Sequence, residues 1–277
     1  MKVLKQLFNF YIDSSIHVAF SVVSLTWITL LEFEIPFDFK ILLFVLSSSI
    51  TGYNFVKYFG VAKFHHRSLA NRLRYIQFFS FLSFILMSYF IWQLQSITLL
   101  YILAFGIITF LYAIPFLPKR FYIDSQHNLR NIGGLKIYLI ALVWTGVTVF
   151  LPLIENSFSL NDDVFLTAIQ RFILIIVLML PFEIRDLRYD SLKLATIPQK
   201  IGVRQTKIMG SLLLGMFFLL ELFKNQTTYI AIIILVLITS LTLIFLLFSK
   251  TEQRKYYSAF WVEGLPIFWL ILLFLFY

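Results

Sequence analysis

The sequence predicts an all-α fold, a polytopic membrane bundle of about nine transmembrane helices forming a single domain over residues 1–277. Three observations predict it. Hydrophobic residues make up 60% of the chain and charged residues 13%, with a mean hydropathy of +0.87, which leaves too little polar surface for a water-soluble domain of this length. The apolar residues fall in runs of about 20, the length that crosses the hydrocarbon core as a helix. The basic residues gather in alternate connections between those runs, the asymmetry expected of cytoplasmic loops.

The first run, residues 14–31, is too long for the apolar part of a signal peptide and lacks a small-residue cleavage site, so it reads as a span. Asp13 or Ser14 is placed to cap it, ahead of His17. Spans two to four cover 38–56, 73–94 and 97–117. Gly133 and Gly134 precede the fifth, 136–153, where glycine permits a tight turn into a helix. The sixth, 163–182, carries Arg171 near its outer end, from where a long side chain is expected to snorkel to the headgroups. The last three cover 207–223, 227–248 and 258–277. Glu263 lies inside the ninth. An intramembrane carboxylate costs about 2.5–3.5 kcal/mol on insertion scales and is expected to face a cavity or a partner. A role beside an active site, a pair with a neighbouring Lys or Arg, and simple protonation all stay open for it. The 33 Phe read as lipid-facing bulk.

With the N-terminus in the cytoplasm, 20 of the 23 Lys and Arg fall in inside segments. Lys40 and Lys224 fall outside, and Arg171 within a span. This orientation puts the C-terminus outside. The net charge of +9 follows from the same asymmetry and from attraction to anionic headgroups, so the bilayer is the partner it implies and no nucleic acid is needed. The absence of cysteine excludes disulfides and thiolate metal sites. Function is expected on the cytoplasmic side, where the long connections after spans two, four and six lie. In the first of these, the adjacent His65 and His66 point apart, which suits headgroups or solvent better than a metal.

The stretch "PFEIRDLRYDSLKLATIPQKIG", Pro181 to Gly202, packs three acids and four bases into 22 residues at the end of an apolar span. Glu183, Asp186 and Asp190 are spaced i, i+3, i+7 and share one helix face. Three carboxylates on one face need positive charge among them. A Mg²⁺ ion, which takes hard oxygen ligands, is one source. Arg185, Arg188 and Lys193 are the other.

This stretch resembles the second aspartate-rich motif of the UbiA superfamily of intramembrane prenyltransferases, with Glu183, Asp186 and Asp190 in the acidic places and Thr196, Ile197, Pro198 and Gly202 following. The usual Gly-Lys before the Thr is absent. "LYAIPFLPKRF" resembles the family's aromatic-proline and Lys-Arg segment at the end of helix four. The family's first motif is not kept. At the end of the second span the chain reads "YNFVKYFGVAKFHHR": Asn54 matches, the three acids become Phe55, Tyr58 and Ala62, and bases stand among them. The first span opens "SSIHVAF", without the family's Arg-Pro.

The resemblance implies transfer of a prenyl group from a prenyl diphosphate to a lipophilic, membrane-partitioning acceptor. It implies Mg²⁺ held by Glu183, Asp186 and Asp190, with Asp186 and Asp190 in catalysis; Glu263, from its place inside the last span near the cytoplasmic side, joins them as a candidate to orient a base or deprotonate the acceptor. Diphosphate would be bound by Lys119, Arg120 and Arg185, helped by Asn54, Lys57 and Lys63. A bacterial inner membrane is the location that goes with it. Bases in place of the lost acids could neutralise a leaving group of about three negative charges directly. The alternative is a catalytically inactive relative that binds an isoprenoid or lipid phosphate. An unrelated transporter or scaffold is the third class.

Overall fold

The structure, a computed structural model, describes residues 2–58, 67–113, 134–189, 195–225 and 227–276. Asp190, Lys63, His65, His66, Lys119, Arg120 and Lys193 lie outside the described residues. We number the helices α1 (Lys2–Asp13), α2 (Ile16–Glu32), α3 (Phe39–Tyr58), α4 (Arg67–Ile91) and α5 (Ser96–Ala113). They continue as α6 (Leu135–Glu155), α7 (Asp162–Asp186), α8 (Ile197–Glu221), α9 (Tyr229–Phe248) and α10 (Tyr257–Phe276).

Among the described residues, seven helices are long and apolar enough to cross a membrane, or eight if the bent pair α1–α2 counts as one span. Each of the nine expected runs corresponds to one of the helices α2–α10. The fourth, expected over 97–117, is the shorter helix α5, described only as far as Ala113. Two boundaries also move. Residues before 14 form a helix of their own, α1, which meets α2 at 54°. The helix expected from residue 207 starts at Ile197. Pro198 sits in its first turn, where a missing N–H is harmless, and the Gln199 side chain accepts from Thr196 N at 3.0 Å. A left-handed Gly202 (φ 80°) kinks the helix there, which is why the sequence reads as loop up to that point.

The layering follows from burial. α7 is the central post: 72% of its apolar window is buried, against 17% for α4, which faces outward with Phe78, Phe81 and Ile85 exposed. At the start of α7 the Asn161 side chain accepts from Val164 N at 3.1 Å, with Asp162 and Asp163 in the first turn and Arg185 in the last, each matching the helix dipole. α2 packs into the same core through Val18, Val22, Leu25 and Ile28. α5 meets α6 closely at Gly146, where a Cβ would stand 2.0 Å from the Phe105 ring. Two helices contain a π-helical turn. In α6 it precedes Pro152, whose ring cannot serve an ordinary helical hydrogen bond. In α10 it spans Tyr257–Val262 and runs into the Glu263–Gly264 turn.

Two expectations are overturned here. Arg171 does not snorkel. It is buried, and its guanidinium donates to Leu25 O (3.1 Å) and Thr29 Oγ1 (3.3 Å) of α2 and lies over the Trp269 ring. In a helix that is mostly buried, an arginine can satisfy its donors on a neighbouring helix. Neither Asp13 nor Ser14 is the N-cap residue of α2. That position is Ser15, in the left-handed region (φ 63°) and without a side-chain cap. The Ser14 hydroxyl donates back to Phe10 O of α1 at 2.7 Å. Gly134 does turn the chain into α6, with φ 76°.

Candidate active site

The α1–α2 break, the end of α3 and the turn in α10 meet at one end of the bundle. The break is pinned by Asn54. Its amide N–H groups reach Ser14 O (2.9 Å) and Ser80 Oγ (2.7 Å), and its oxygen accepts from Ser15 Oγ (2.8 Å). Asn54 therefore acts on this region by fixing the break, with both amide donors engaged. One turn on, Lys57 Nζ donates to Ser15 Oγ at 2.9 Å, which takes one of its three donors. Tyr58 OH donates to Asp13 O at 2.9 Å. The left-handed Ser15, a strained conformation for a residue with a side chain, is held by these contacts from α3.

Glu263 stands opposite. The charges of Lys57 and Arg185 act on its carboxylate, and Tyr11 and Tyr53 also lie within its electrostatic reach. Among the described residues that carboxylate makes no hydrogen bond or close ion pair, and the residue as a whole is half-buried. The turn that carries it is tightly built. Ser21 Oγ donates to Glu263 O, and Glu263 N to Ser258 O at 3.1 Å. A Cβ on Gly264 would stand 2.7 Å from Phe260 O and 3.2 Å from the His17 ring, so only glycine fits. His17 is locked into one tautomer. The Phe260 carbonyl, 2.8 Å from Nε2, can only accept, so Nε2 carries the proton and Nδ1 accepts from Tyr11 OH at 2.9 Å.

The end of α7 brings the charge cluster to the same end. Glu183 is buried, with Lys136 Nζ of α6 at 3.9 Å. Arg185 Nε donates to Asp186 Oδ1 at 2.7 Å, and its guanidinium lies over the Phe182 ring. Arg188 pairs instead with Glu252. A Cβ on Gly134 would lie 3.4 Å from Ala195 O and 3.6 Å from Lys200 Nζ, so the start of α6 abuts the start of α8.

Asn54, Lys57, Glu183, Arg185, Asp186 and Glu263 thus gather at one end, from α3, α7 and α10. The role of Ser15, Tyr11, His17 and Lys136 here is not visible in the sequence. The one signal for Ser15 and His17 is a short polar run, "DSSIH", at the head of an apolar segment.

The predicted metal face includes Asp190, which lies outside the described residues. Among the described residues, no three acids or histidines are grouped to hold a metal ion. Glu183 and Asp186 each have a base beside them. These residues alone do not build a metal centre, and a magnesium site would require Asp190 or oxygens of a bound phosphate.

The fold and site define a multi-pass, all-α membrane protein with a cluster of charged side chains at one end of its bundle. The chain is similar in structure to a solved protein described as a digeranylgeranylglyceryl phosphate synthase in membranes, with a TM-score of 0.55 and 13% identity, over 97% of this chain and 96% of that one. At that identity the likeness establishes the fold. No protein-family model matches the sequence, and no curated protein is similar to it by sequence.

Proposed function

We propose that this protein is a divergent intramembrane prenyltransferase, transferring a prenyl group from a prenyl diphosphate to an acceptor that partitions into the membrane. The observation that carries this reading is the gathering of Lys57, Arg185 and Glu263 at one end of an apolar bundle, where the charges of both bases act on the acid. The fold of a prenyl-transferring synthase supports it.

In this reading Lys57, Lys136 and Arg185 neutralise the diphosphate as it leaves. The allylic C–O bond breaks with its electron pair going to the diphosphate. The acceptor nucleophile bonds to the allylic carbon, and its proton passes to the Glu263 carboxylate. Lys63, Lys119 and Arg120, outside the described residues, belong to the same proposed diphosphate site. Mg²⁺ on Glu183, Asp186 and Asp190 belongs to the proposal too, and no step above depends on it. A cytoplasmic N-terminus, an outside C-terminus and a bacterial inner membrane complete the reading. A reporter fused after Tyr277 should then be active outside the cytoplasm.

The decisive experiment supplies purified protein with allylic diphosphates of several chain lengths, membrane lipid extract as acceptor, and Mg²⁺ or a chelator. Released diphosphate and a prenylated lipid are the expected products. The alternative, an inactive binder of an isoprenoid or lipid phosphate, is favoured by the bases beside Glu183 and Asp186. It predicts binding of the diphosphates with no release at any chain length, and that outcome would replace the first reading.

A further inference from the structure

On the outward side of α8 and α9 lies an open groove of about 500 Å³, lined by Arg204, Lys207, Ile208, Ser211, Leu212 and Leu247. Arg204, Lys207–Ile208 and Ser211–Leu212 follow the helical repeat, so they form one stripe of α8. The stripe is polar at one end and apolar at the other. At the polar end Arg204 is exposed, Lys207 Nζ donates to Leu247 O at 2.7 Å, and the charge of Lys250 bears on Lys207. At the other, Ile208, Leu212 and Leu247 are exposed to 47, 72 and 48%. No acidic side chain lines the groove.

Three like charges crowd together with no lining acid to balance them, directly above an uncovered apolar strip in a membrane protein. We propose that the groove binds one anionic phospholipid, its headgroup phosphate on Arg204, Lys207 and Lys250 and one acyl chain along Ile208, Leu212 and Leu247. Charge complementarity selects an anionic headgroup, and basic pockets between transmembrane helices are known to take such lipids. The strip selects a lipid over a free phosphate, which would leave those side chains uncovered. A second copy of this chain docked symmetrically would bring the same positive charges against these. The groove shares no residue with the cluster around Glu263 and does not depend on the prenyl-transfer reading.

Native mass spectrometry of the full chain in detergent tests this, with dioleoylphosphatidylglycerol and dioleoylphosphatidylcholine as probes. One phosphatidylglycerol should be retained in clear preference to phosphatidylcholine. Arg204→Gln with Lys207→Gln should weaken that binding about 25-fold, near fivefold per charge removed. Leu212→Trp keeps the charges and fills the apolar strip, so it should weaken binding about tenfold if an acyl chain lies there. Lys40→Gln, far from the groove, should leave it unchanged, and circular dichroism should report the same helicity for every variant. Equal retention of the two lipids, or phosphatidylglycerol binding indifferent to the double variant, would overturn the proposal. Displacement by millimolar inorganic phosphate, or a dimer that Leu212→Trp dissociates, would overturn it as well.

Discussion

At the end of the bundle away from α1, Arg171 donates to Leu25 O and Thr29 Oγ1, Gln170 Nε2 donates to Phe217 O and Glu221 Oε2 at 3.0 Å each, and Lys224 stands 2.9 Å from Glu221 and 4.0 Å from Glu32. At the end that carries α1, the polar side chains are as numerous, but two groups keep unused capacity. Glu263 accepts no hydrogen bond from the described residues, and Lys57 gives one of its three donors to Ser15. Both clusters lie in apolar surroundings, where an unmet polar group is costly. The first is largely closed and ties α2, α7 and α8 together, with Glu32 Oε2 left buried and without a hydrogen bond. The second pairs Arg185 with Asp186 and Lys136 with Glu183 but leaves donors of Lys57 unused, capacity that a site for an anionic ligand requires. Burial of charge by itself thus does not separate scaffold from site.

That contrast can be broken by substitution. Arg171→Ala should cause the largest loss, about 3–5 kcal/mol of stability, from a cavity and stranded acceptors. Unfolding of detergent-solubilised protein measures it, and a variant as stable as wild type would show that the closed cluster ties nothing. Glu263→Gln should do the reverse, leaving stability within about 1 kcal/mol while slowing diphosphate release a hundredfold or more, about 3 kcal/mol in barrier. Unchanged turnover would remove Glu263 from the chemistry. Lys57→Ala should weaken binding of a non-hydrolysable prenyl diphosphate analogue by about 1–3 kcal/mol, read by calorimetry; an unaltered Kd would mean the lysine serves only Ser15. The smallest effect is expected from Ser15→Ala, which removes the hydroxyl shared by Asn54 and Lys57 and should cost about 1 kcal/mol of stability. A loss as large as that of Arg171→Ala would make the α1–α2 break part of the scaffold rather than of the site.

Much of this fold is legible in the sequence because long apolar runs have few alternatives. The runs that became α3, α6, α7, α9 and α10 sit within a few residues of their expected places. What apolar runs do not carry is direction. From Phe172 to Leu180 every residue of α7 is hydrophobic, so periodicity there gives no inner face, and Arg171 reads as an outward snorkel until its partners on α2 are seen. The start of α8 was hidden by Pro198 and Gly202, residues that mark loops in general and here mark a first turn and a kink. In the site, Glu263 stands out in the sequence because an acid inside a span is rare. Its relation to Lys57, more than 200 residues earlier in the chain, depends on how α3 and α10 pack, and no local pattern encodes that. The polar run Asp13–Ser15 looks like an ordinary cap, and its use as a pinned break appears only with Asn54 in place.

The arrangement around Arg171 also has a bearing on how the chain is made. A lone arginine entering hydrocarbon opposes insertion by about 2.5–3.5 kcal/mol. Its acceptors, Leu25 and Thr29, precede it by 146 and 142 residues and belong to α2. During synthesis they are therefore already in the membrane when α7 leaves the ribosome, so the guanidinium meets its partners on arrival and need not wait for a later segment. Trp269, whose ring covers the same group, lies 98 residues further along the chain, in α10. Biogenesis thus seats the charge first and closes an aromatic cover over it later.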